Sequence, residues 1–121
     1  PVIKILHSKI EPDLLESLCK EFFGSFVKFV VDIEKDIIAA GGELHSDAEA
    51  VLLENGSQQK DLWGANFFPF KNPDHRLEYT SLINIRPSDE NHGMEIKDPR
   101  IRKRVKSISE SLLLSAHDHL A

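Results

Sequence analysis

Seven polar or aromatic side chains in the middle of the chain are the candidates for chemistry. Acidic side chains and a histidine come first, and an indole, two amides and an arginine follow. Carboxylate and imidazole groups bind transition metals, whereas an arginine beside amides and an indole can hold a carboxylate or phosphate group. The candidate ligand-binding residues are Asp32, Glu43, His45, Trp63, Asn66, Asn84 and Arg86.

The acidic half of this set has two interpretations. In an extended segment Glu43, His45 and Asp47 share a face, where they could bind zinc, manganese or iron. However, Ser46 and Glu49 match a capping box, which would place Asp47 and Glu49 in the first turn of a helix. No paired His or Cys at metal-ligand spacing accompanies them. We therefore expect no metal, and a metal-dependent enzyme using Glu43 and His45 is an alternative.

The amide and arginine half lies on two predicted strands that form a hairpin. Asparagine is disfavoured inside strands, so a local interaction must favour Asn66 and Asn84. Asn84 and Arg86 alternate on one face of the second predicted strand. One interpretation is a site for a small anionic ligand or a protein partner. The other is an exposed sheet face on which Arg86 pairs with Glu78 or Asp61.

The first residue suggests a catalytic alternative. If Pro1 is a free N-terminus, its amine resembles the general base of the tautomerase superfamily, in which apolar surroundings and nearby cations lower the pKa of the proline. The order strand, helix, strand in the first thirty-odd residues is similar to that plan in outline. The helix is short, however, and no second strand-helix-strand unit follows it. An N-terminal-proline tautomerase is thus an alternative enzyme hypothesis.

The basic side chains are concentrated near the C-terminus. Residues 97–106 carry six of the 15 lysines and arginines, although the net charge of the chain is −5. Three of these charges are consecutive, so they spread around the solvent side of a helix, and no aromatic residues alternate with them. We expect a solvated helix face rather than a nucleic-acid site.

The elements that position these residues follow from apolar periodicity. Helices are predicted to begin near Pro12, Ser46 and Asp98. Strands are predicted over 2–6, 26–33, 36–40, 62–70 and 77–85. The order β-α-β-β-α-β-β-α predicts a single α+β domain over 1–121, with a mostly antiparallel sheet covered by helices.

Length, apolar content and cysteine usage indicate the compartment. No apolar stretch approaches the ~20 residues that span a bilayer, and no basic segment precedes an apolar one at the N-terminus, so we expect neither a membrane span nor a secretory signal. The single cysteine, Cys19, lies on an apolar helical pattern. A buried thiol in a reducing compartment is expected, which predicts a cytoplasmic protein.

One predicted strand is unusually rich in aromatic residues. Trp63, Phe67, Phe68 and Phe70 can be buried on both of its faces only if a helix or a second subunit covers them. We therefore expect a homodimer or other homo-oligomer. The leading hypothesis is a non-catalytic domain that binds a small ligand or a protein partner.

Four stretches of the central region have recognisable sequences. They are VVDIE at 30–34, GGELH at 41–45, DLWGAN at 61–66 and SLINIRP at 81–87. Together with the acidic-proline start of the last helix, they resemble a family of small prokaryotic proteins known as a domain of unknown function. The resemblance implies a compact stand-alone protein. It brings no established activity, and we expect no cofactor.

Overall fold

A computed structural model describes residues 2–120 of the chain. Over these residues five strands form one sheet, in the order β1-β3-β2-β4-β5, and every neighbouring pair is antiparallel. The strands are β1 (Ile3–Leu6), β2 (Val27–Asp32), β3 (Ile37–Gly41), β4 (Leu62–Phe67) and β5 (Leu77–Glu78), and the helices are α1 (Pro12–Phe22), α2 (His45–Glu54) and α3 (Pro99–Leu112). The predicted α+β class is confirmed. None of the helices in the described range is long and apolar enough to cross a membrane.

Helix α1 follows its predicted pattern. Pro12 occupies the first turn, and Leu15, Leu18 and Cys19 form the buried face. Gly24 ends the helix with φ +79°, and its N–H donates to the carbonyl of Cys19 at 2.7 Å. Burial raises the pKa of the Cys19 thiol to about 11, so this cysteine is a packing residue rather than a nucleophile.

Helices cover both faces of the sheet. On one face, α1 and α3 pack over Phe29, Trp63 and Phe67. On the other face, α2 packs its buried Leu52 against a smaller apolar group that includes Val30. Strand β4 is therefore buried within one chain, and Trp63 and Phe67 do not need a second subunit to cover them. Phe68 and Phe70 lie beyond the end of β4, and Phe70 is 44% exposed.

Helix α3 begins with a side-chain cap. Asp98 accepts the backbone N–H of Arg100 at 2.8 Å, as the Asp-Pro start predicts. Val105, Ile108 and Leu112 form its buried stripe.

Two of the basic side chains of α3 are held by the chain itself. Arg102 donates to the carbonyl of Ile96 at 2.6 Å, and Arg104 donates to the Asp36 carboxylate. Two of the basic side chains of residues 97–106 are thus bound by other parts of the same chain.

Helix α2 starts differently from the prediction. Leu44 is the residue before the first turn, and no side chain caps the helix. The predicted capping box is wrong, because Ser46 already lies inside the helix. The extended face shared by Glu43, His45 and Asp47 is also wrong, since α2 begins at His45. The helix therefore presents its first backbone N–H groups without a side-chain cap.

The second half of the sheet is shorter than predicted. Strand β4 ends at Phe67 rather than at 70, and β5 has two residues instead of the predicted 77–85. After β5 the chain leaves the sheet and pairs with a later segment, since the N–H of Ser81 donates to Met94 O and that of Ile96 to Tyr79 O. A 3-10 turn follows at Leu82–Asn84. The prediction that Asn84 and Arg86 lie on one strand face is therefore wrong.

Candidate functional site

Asp32 is a structural residue at the end of β2. It is fully buried, and Oδ1 accepts the backbone N–H groups of Glu34 and Lys35, both at 2.9 Å. Oδ2 accepts the hydroxyl of Ser57 at 2.6 Å. Both carboxylate oxygens are thus occupied in holding the turn between β2 and β3 and the loop after α2.

Asn84 is a structural residue beside β4. Its Oδ1 accepts the N–H of Gly64 at 2.8 Å, and its Nδ2 donates to Gly64 O at 2.9 Å and to Met94 O at 3.1 Å. The carboxamide pairs with the β4 backbone as a neighbouring strand would. Position 64 is glycine because a Cβ there would lie 2.7 Å from the Cβ of Ser81.

Arg86 and Trp63 contact each other, but the guanidinium of Arg86 already donates hydrogen bonds to backbone carbonyls. Arg86 donates from Nη1 to Gln59 O at 2.8 Å and from Nη2 to Leu62 O, and its Cζ lies 3.8 Å from the centre of the Trp63 ring. An expected ion pair with Glu78 or Asp61 is not formed; the nearest carboxylate contact is Asp89 at 3.9 Å. The guanidinium of Arg86 therefore holds its loop against β4, and these N–H groups are not free to bind an anion.

Trp63 also lines a cavity of about 600 Å³ at the start of α3. Its Nε1 is buried without a partner in the described chain, as is Nε of Arg86. The charged walls of this cavity are largely paired, for example Lys60 with Asp61 at 2.9 Å and Arg100 with Asp98 at 3.5 Å. The cavity thus has few free charges with which to select a ligand.

A second cavity, of about 400 Å³, lies where the start of α2 meets the short β5 edge of the sheet. We call it the α2 pocket. It contains the two remaining buried candidates, His45 and Asn66. The residues that line it are Lys28, Leu44, His45, Ser46, Asn66, Glu78, Thr80, Ser81, Leu82, Ile83 and Met94.

Three polar residues form a row across the floor of the α2 pocket. Lys28 on β2 is the register partner of Asn66 on β4, and Asn66 is the partner of Glu78 on β5. Adjacent strands lie ~4.8 Å apart, so a cation, an amide and an anion follow one another across the sheet. Lys28 and Glu78 each lack an oppositely charged partner within residues 2–120. This row is the most polar part of the pocket.

Asn66 is the least satisfied residue of that row. Its Nδ2 donates to Glu78 Oε1 at 2.7 Å, which fixes the amide orientation, because a carboxylate can only accept. Oδ1 is then left buried, with no donor in the described part of the chain. The side chain as a whole is 7% exposed. Leaving such an acceptor unpaired costs about 1–3 kcal/mol.

His45 forms a neutral wall of the pocket. Its Nε2 lies 2.8 Å from Ala65 O, and because a carbonyl only accepts, Nε2 carries the proton. The pKa of His45 is lowered to about 4, mainly by burial and also by the charge of Lys28, while the hydrogen bond to Ala65, the neighbouring Asn66 side chain and the charge of Glu78 oppose the shift. The imidazole is thus uncharged near neutral pH, and its Nδ1 is a hydrogen-bond acceptor.

The rim of the α2 pocket is apolar and exposed. Leu82 is 71% exposed, Leu44 54% and Met94 42%. Scattered exposed apolar residues are ordinary, but three around one cavity make a local apolar surface. The pocket thus combines a polar floor with an apolar mouth.

The described residues do not supply the side-chain arrangements that the two enzyme hypotheses require. Glu43 is exposed and does not line the α2 pocket. Within residues 2–120 no group of three or more His, Cys, Asp or Glu side chains is placed to hold a metal ion. Pro1, on which the tautomerase hypothesis rests, lies outside the described residues.

Comparison with known proteins gives one match. The family model described as "Protein of unknown function (DUF5674)" covers residues 4–112. The chain belongs to this family. Neither the curated proteins nor the solved structures gave a match.

The whole α2 pocket lies inside the part of the chain that defines the DUF5674 family, since its lining residues fall between 28 and 94. Sequence reasoning identified His45 and Asn66 but missed Lys28, Glu78 and the apolar rim. Lys28 carries a signal that could have been used, because it interrupts the apolar run Val27–Val31. The exposure of Leu82 could not be predicted in this way, because the residues around Leu82 alternate in the pattern typical of a strand.

Proposed function

We propose that this protein binds a small molecule in the α2 pocket and does not transform it. The observation that carries the proposal is the buried Oδ1 of Asn66, which has no donor in the described chain although the residue lines a cavity of about 400 Å³. Buried polar groups are nearly always paired in native structures. A ligand with an N–H or O–H group would complete this one.

The start of α2 and Lys28 favour an acidic group on the ligand. Backbone N–H groups at an uncapped helix start carry a partial positive charge and bind anions. Leu44, His45 and Ser46 bring that helix start to the pocket wall, and Lys28 adds a full charge. Nζ of Lys28 lies 5.3 Å from the centre of the Phe23 ring, within cation–π range. No carboxylate within residues 2–120 pairs with this ammonium, so its N–H groups can also donate to a carboxylate or phosphate group.

The rim favours an apolar body on the same molecule. A ligand that filled the mouth would remove parts of Leu44, Leu82 and Met94 from water, at about 25 cal/mol for each Å² buried. Ile83, which is half-buried, would contact the same part of the ligand. An acidic head with a short branched apolar tail fits both regions.

The state of His45 supports binding rather than catalysis. Nε2 is committed to Ala65 O, and a pKa of about 4 leaves the ring a weak base. The one serine of the pocket that is buried, Ser81, accepts the N–H of Ile83 through its hydroxyl. The imidazole thus acts as a fixed acceptor in the wall.

The test is calorimetric titration with 4-methylpentanoate and with 2-hydroxy-4-methylpentanoate, which share an acidic head and a short branched tail. The hydroxyl of the second ligand supplies the donor that Asn66 Oδ1 lacks, so it should bind more tightly. We expect a dissociation constant on the order of 10–1000 µM. Lys28→Ala and Leu82→Ser should each weaken binding by about fivefold or more. The matched controls are Lys103→Ala and Leu53→Ser, which change an exposed lysine and an exposed leucine outside the pocket.

Two outcomes would contradict the proposal. Absence of binding by 4-methylpentanoate, 2-hydroxy-4-methylpentanoate, butyrate and short-chain phosphate monoesters would remove the small-molecule site. Equal loss of affinity in the control variants would show that the affinity does not come from this pocket.

We also propose that the chain forms a homo-oligomer, and the exposed rim supports this in a different way. If a second copy covers Leu44, Leu82 and Met94, light scattering should show a dimer that Leu82→Ser dissociates. A monomer at millimolar concentration would contradict the oligomer and leave the ligand proposal intact. A dimer whose ligand affinity falls as protein concentration rises would show that the copy competes with the ligand.

A cytoplasmic location is the third part of the proposal. It is supported by Cys19, a single thiol buried in α1 and unsuited to an internal disulfide. Cell fractionation with an antibody against the native protein would test it, and recovery outside the cytoplasmic fraction would contradict it.

A further inference from the structure

We infer that the ligand of the α2 pocket is a zwitterionic α-amino acid with an apolar side chain. This inference rests on the proposed function and specifies its ligand class. It follows from the order of charges in the row Lys28, Asn66, Glu78, which places a cationic donor at one end, an unpaired acceptor in the middle and a carboxylate at the other end.

The acceptor end requires a donor on the ligand. Asn66 Oδ1 has no donor, and Glu78 is a carboxylate whose contact within the described chain is the Asn66 amide. A neutral ligand N–H could satisfy the amide, but an ammonium satisfies both, because it also meets the negative charge of Glu78. Nδ1 of His45 is a further acceptor in the same cavity.

The donor end requires an acceptor on the ligand. Lys28 and the uncapped first turn of α2 supply one full and one partial positive charge. A carboxylate between them would accept hydrogen bonds from both. Lys28 and Glu78 lie on the strands that flank Asn66, each ~4.8 Å from it across the sheet. A zwitterion over Asn66 would have its carboxylate on the Lys28 side and its ammonium on the Glu78 side.

The charge balance of the pocket favours a ligand without net charge. Lys28 and Glu78 cancel, and His45 is neutral near pH 7 because burial holds its pKa at about 4. A monoanion would meet Glu78 and a monocation would meet Lys28, so each would suffer repulsion that a zwitterion avoids. The apolar rim then selects a branched apolar side chain over a charged one.

The experiment compares four probes by calorimetry on the full chain. L-leucine carries both charges, 4-methylpentanoate lacks the ammonium, 3-methylbutylamine lacks the carboxylate, and N-acetyl-L-leucine replaces the ammonium with an amide. We expect L-leucine to bind at least about tenfold more tightly than each of the other three.

A charge change at Glu78 gives a second readout with opposite signs. Glu78→Gln should weaken L-leucine by about fivefold or more and tighten 4-methylpentanoate, because the same substitution removes an attraction for one and a repulsion for the other. Glu78 is exposed, so the variant should fold, and circular dichroism checks this. A merely structural role for Glu78 would move both probes in the same direction.

The failures are distinguishable. If 4-methylpentanoate or N-acetyl-L-leucine binds as tightly as L-leucine, the amino-acid inference is overturned and the acidic-ligand proposal stands. If 3-methylbutylamine binds most tightly, the carboxylate half is overturned. If none of the four binds, the proposed function and this inference fall together.

Discussion

Asn66 donates from Nδ2 to Oε1 of Glu78 at 2.7 Å, and this contact turns the other atom of the carboxamide towards an environment with no donor. Asn84, by contrast, has both ends of its carboxamide bonded to the backbone of Gly64. Two buried asparagines of the same family-defining region therefore have opposite roles. One holds the fold, and the other is left open on a cavity.

The unpaired Oδ1 of Asn66 should make the native protein less stable than a variant with an apolar side chain at this position. Replacing Asn66 with leucine removes the unpaired Oδ1 and supplies a residue better suited to a strand, at the loss of one hydrogen bond to an exposed carboxylate. We expect Asn66→Leu to raise the free energy of unfolding by about 1 kcal/mol. Urea denaturation measures the gain. The same variant should lose ligand binding, and a variant that is destabilised by more than the assay error would contradict the site.

The matched substitution is Asn84→Leu. It leaves the N–H and carbonyl of Gly64 buried without partners and also removes the bond to Met94 O. The free energy of unfolding should fall by about 3 kcal/mol or more. Equal effects of the two leucine substitutions would show that the two asparagines do not differ as described.

Gly64 should not tolerate a side chain. A Cβ at this position would lie 2.7 Å from both Cβ and Oγ of Ser81, so Gly64→Ala should cost about 1–3 kcal/mol. Removing the opposing side chain with Ser81→Gly in the same molecule should recover part of that loss. Thermal or urea unfolding of the two single variants and the double variant forms the cycle. Additive effects would contradict a direct contact.

His45 should make stability depend on pH. In the unfolded chain its pKa is about 6.5, whereas burial lowers it to about 4 in the native protein. Between these values only the unfolded chain binds the proton. Stability is therefore unaffected by this group above pH 6.5 and is lost as the pH falls towards 4, by roughly 3 kcal/mol in total.

The variant His45→Gln isolates this effect. Glutamine keeps an N–H that can donate to Ala65 O but does not titrate. Urea denaturation between pH 4 and pH 7 should show a shallower slope for His45→Gln. His92→Gln, which changes an exposed histidine, is the control and should keep the slope of the native protein. An unchanged slope in His45→Gln would contradict the assignment.

Arg86 should resist replacement by lysine. The guanidinium reaches Gln59 O and Leu62 O together and stacks on Trp63, and a single ammonium cannot reproduce this geometry. We expect Arg86→Lys to lower the free energy of unfolding by about 1–2 kcal/mol. Trp63 is the only tryptophan, so its fluorescence follows the transition. Arg100→Lys, at an exposed position, should be neutral.

The first and last helices were predictable because their signals are local. Pro12 and Gly24 delimit α1, and Asp98 caps α3, all through contacts within a few residues. The predicted length of β5 was wrong at Asn84, because the apolar residues Ile83 and Ile85 on either side of it give the alternation that is typical of a strand. The interaction that decides its conformation is a contact with Gly64, 20 positions away. Long-range side-chain pairing of this kind cannot be inferred from periodicity.

The site was predictable only in part, for the same reason. His45 and Asn66 stand out by residue type within apolar surroundings. The charged neighbours of Asn66 depend on strand register, since Lys28 and Glu78 lie 38 and 12 positions away from it along the chain. The guanidinium of Arg86 was expected to bind an anion, but it donates its hydrogen bonds to two backbone carbonyls instead.

The most direct measurement is a nuclear magnetic resonance titration of ¹⁵N-labelled protein with 4-methylpentanoate and L-leucine. The side-chain amide of Asn66 and the backbone amides of His45 and Ser46 should shift and saturate with one dissociation constant, because they line the pocket. Resonances of Lys60 and Asp89, which line the Trp63 cavity, should stay in place. No saturable shift at ~10 mM ligand, or shifts centred on Trp63, would contradict a ligand site in the α2 pocket.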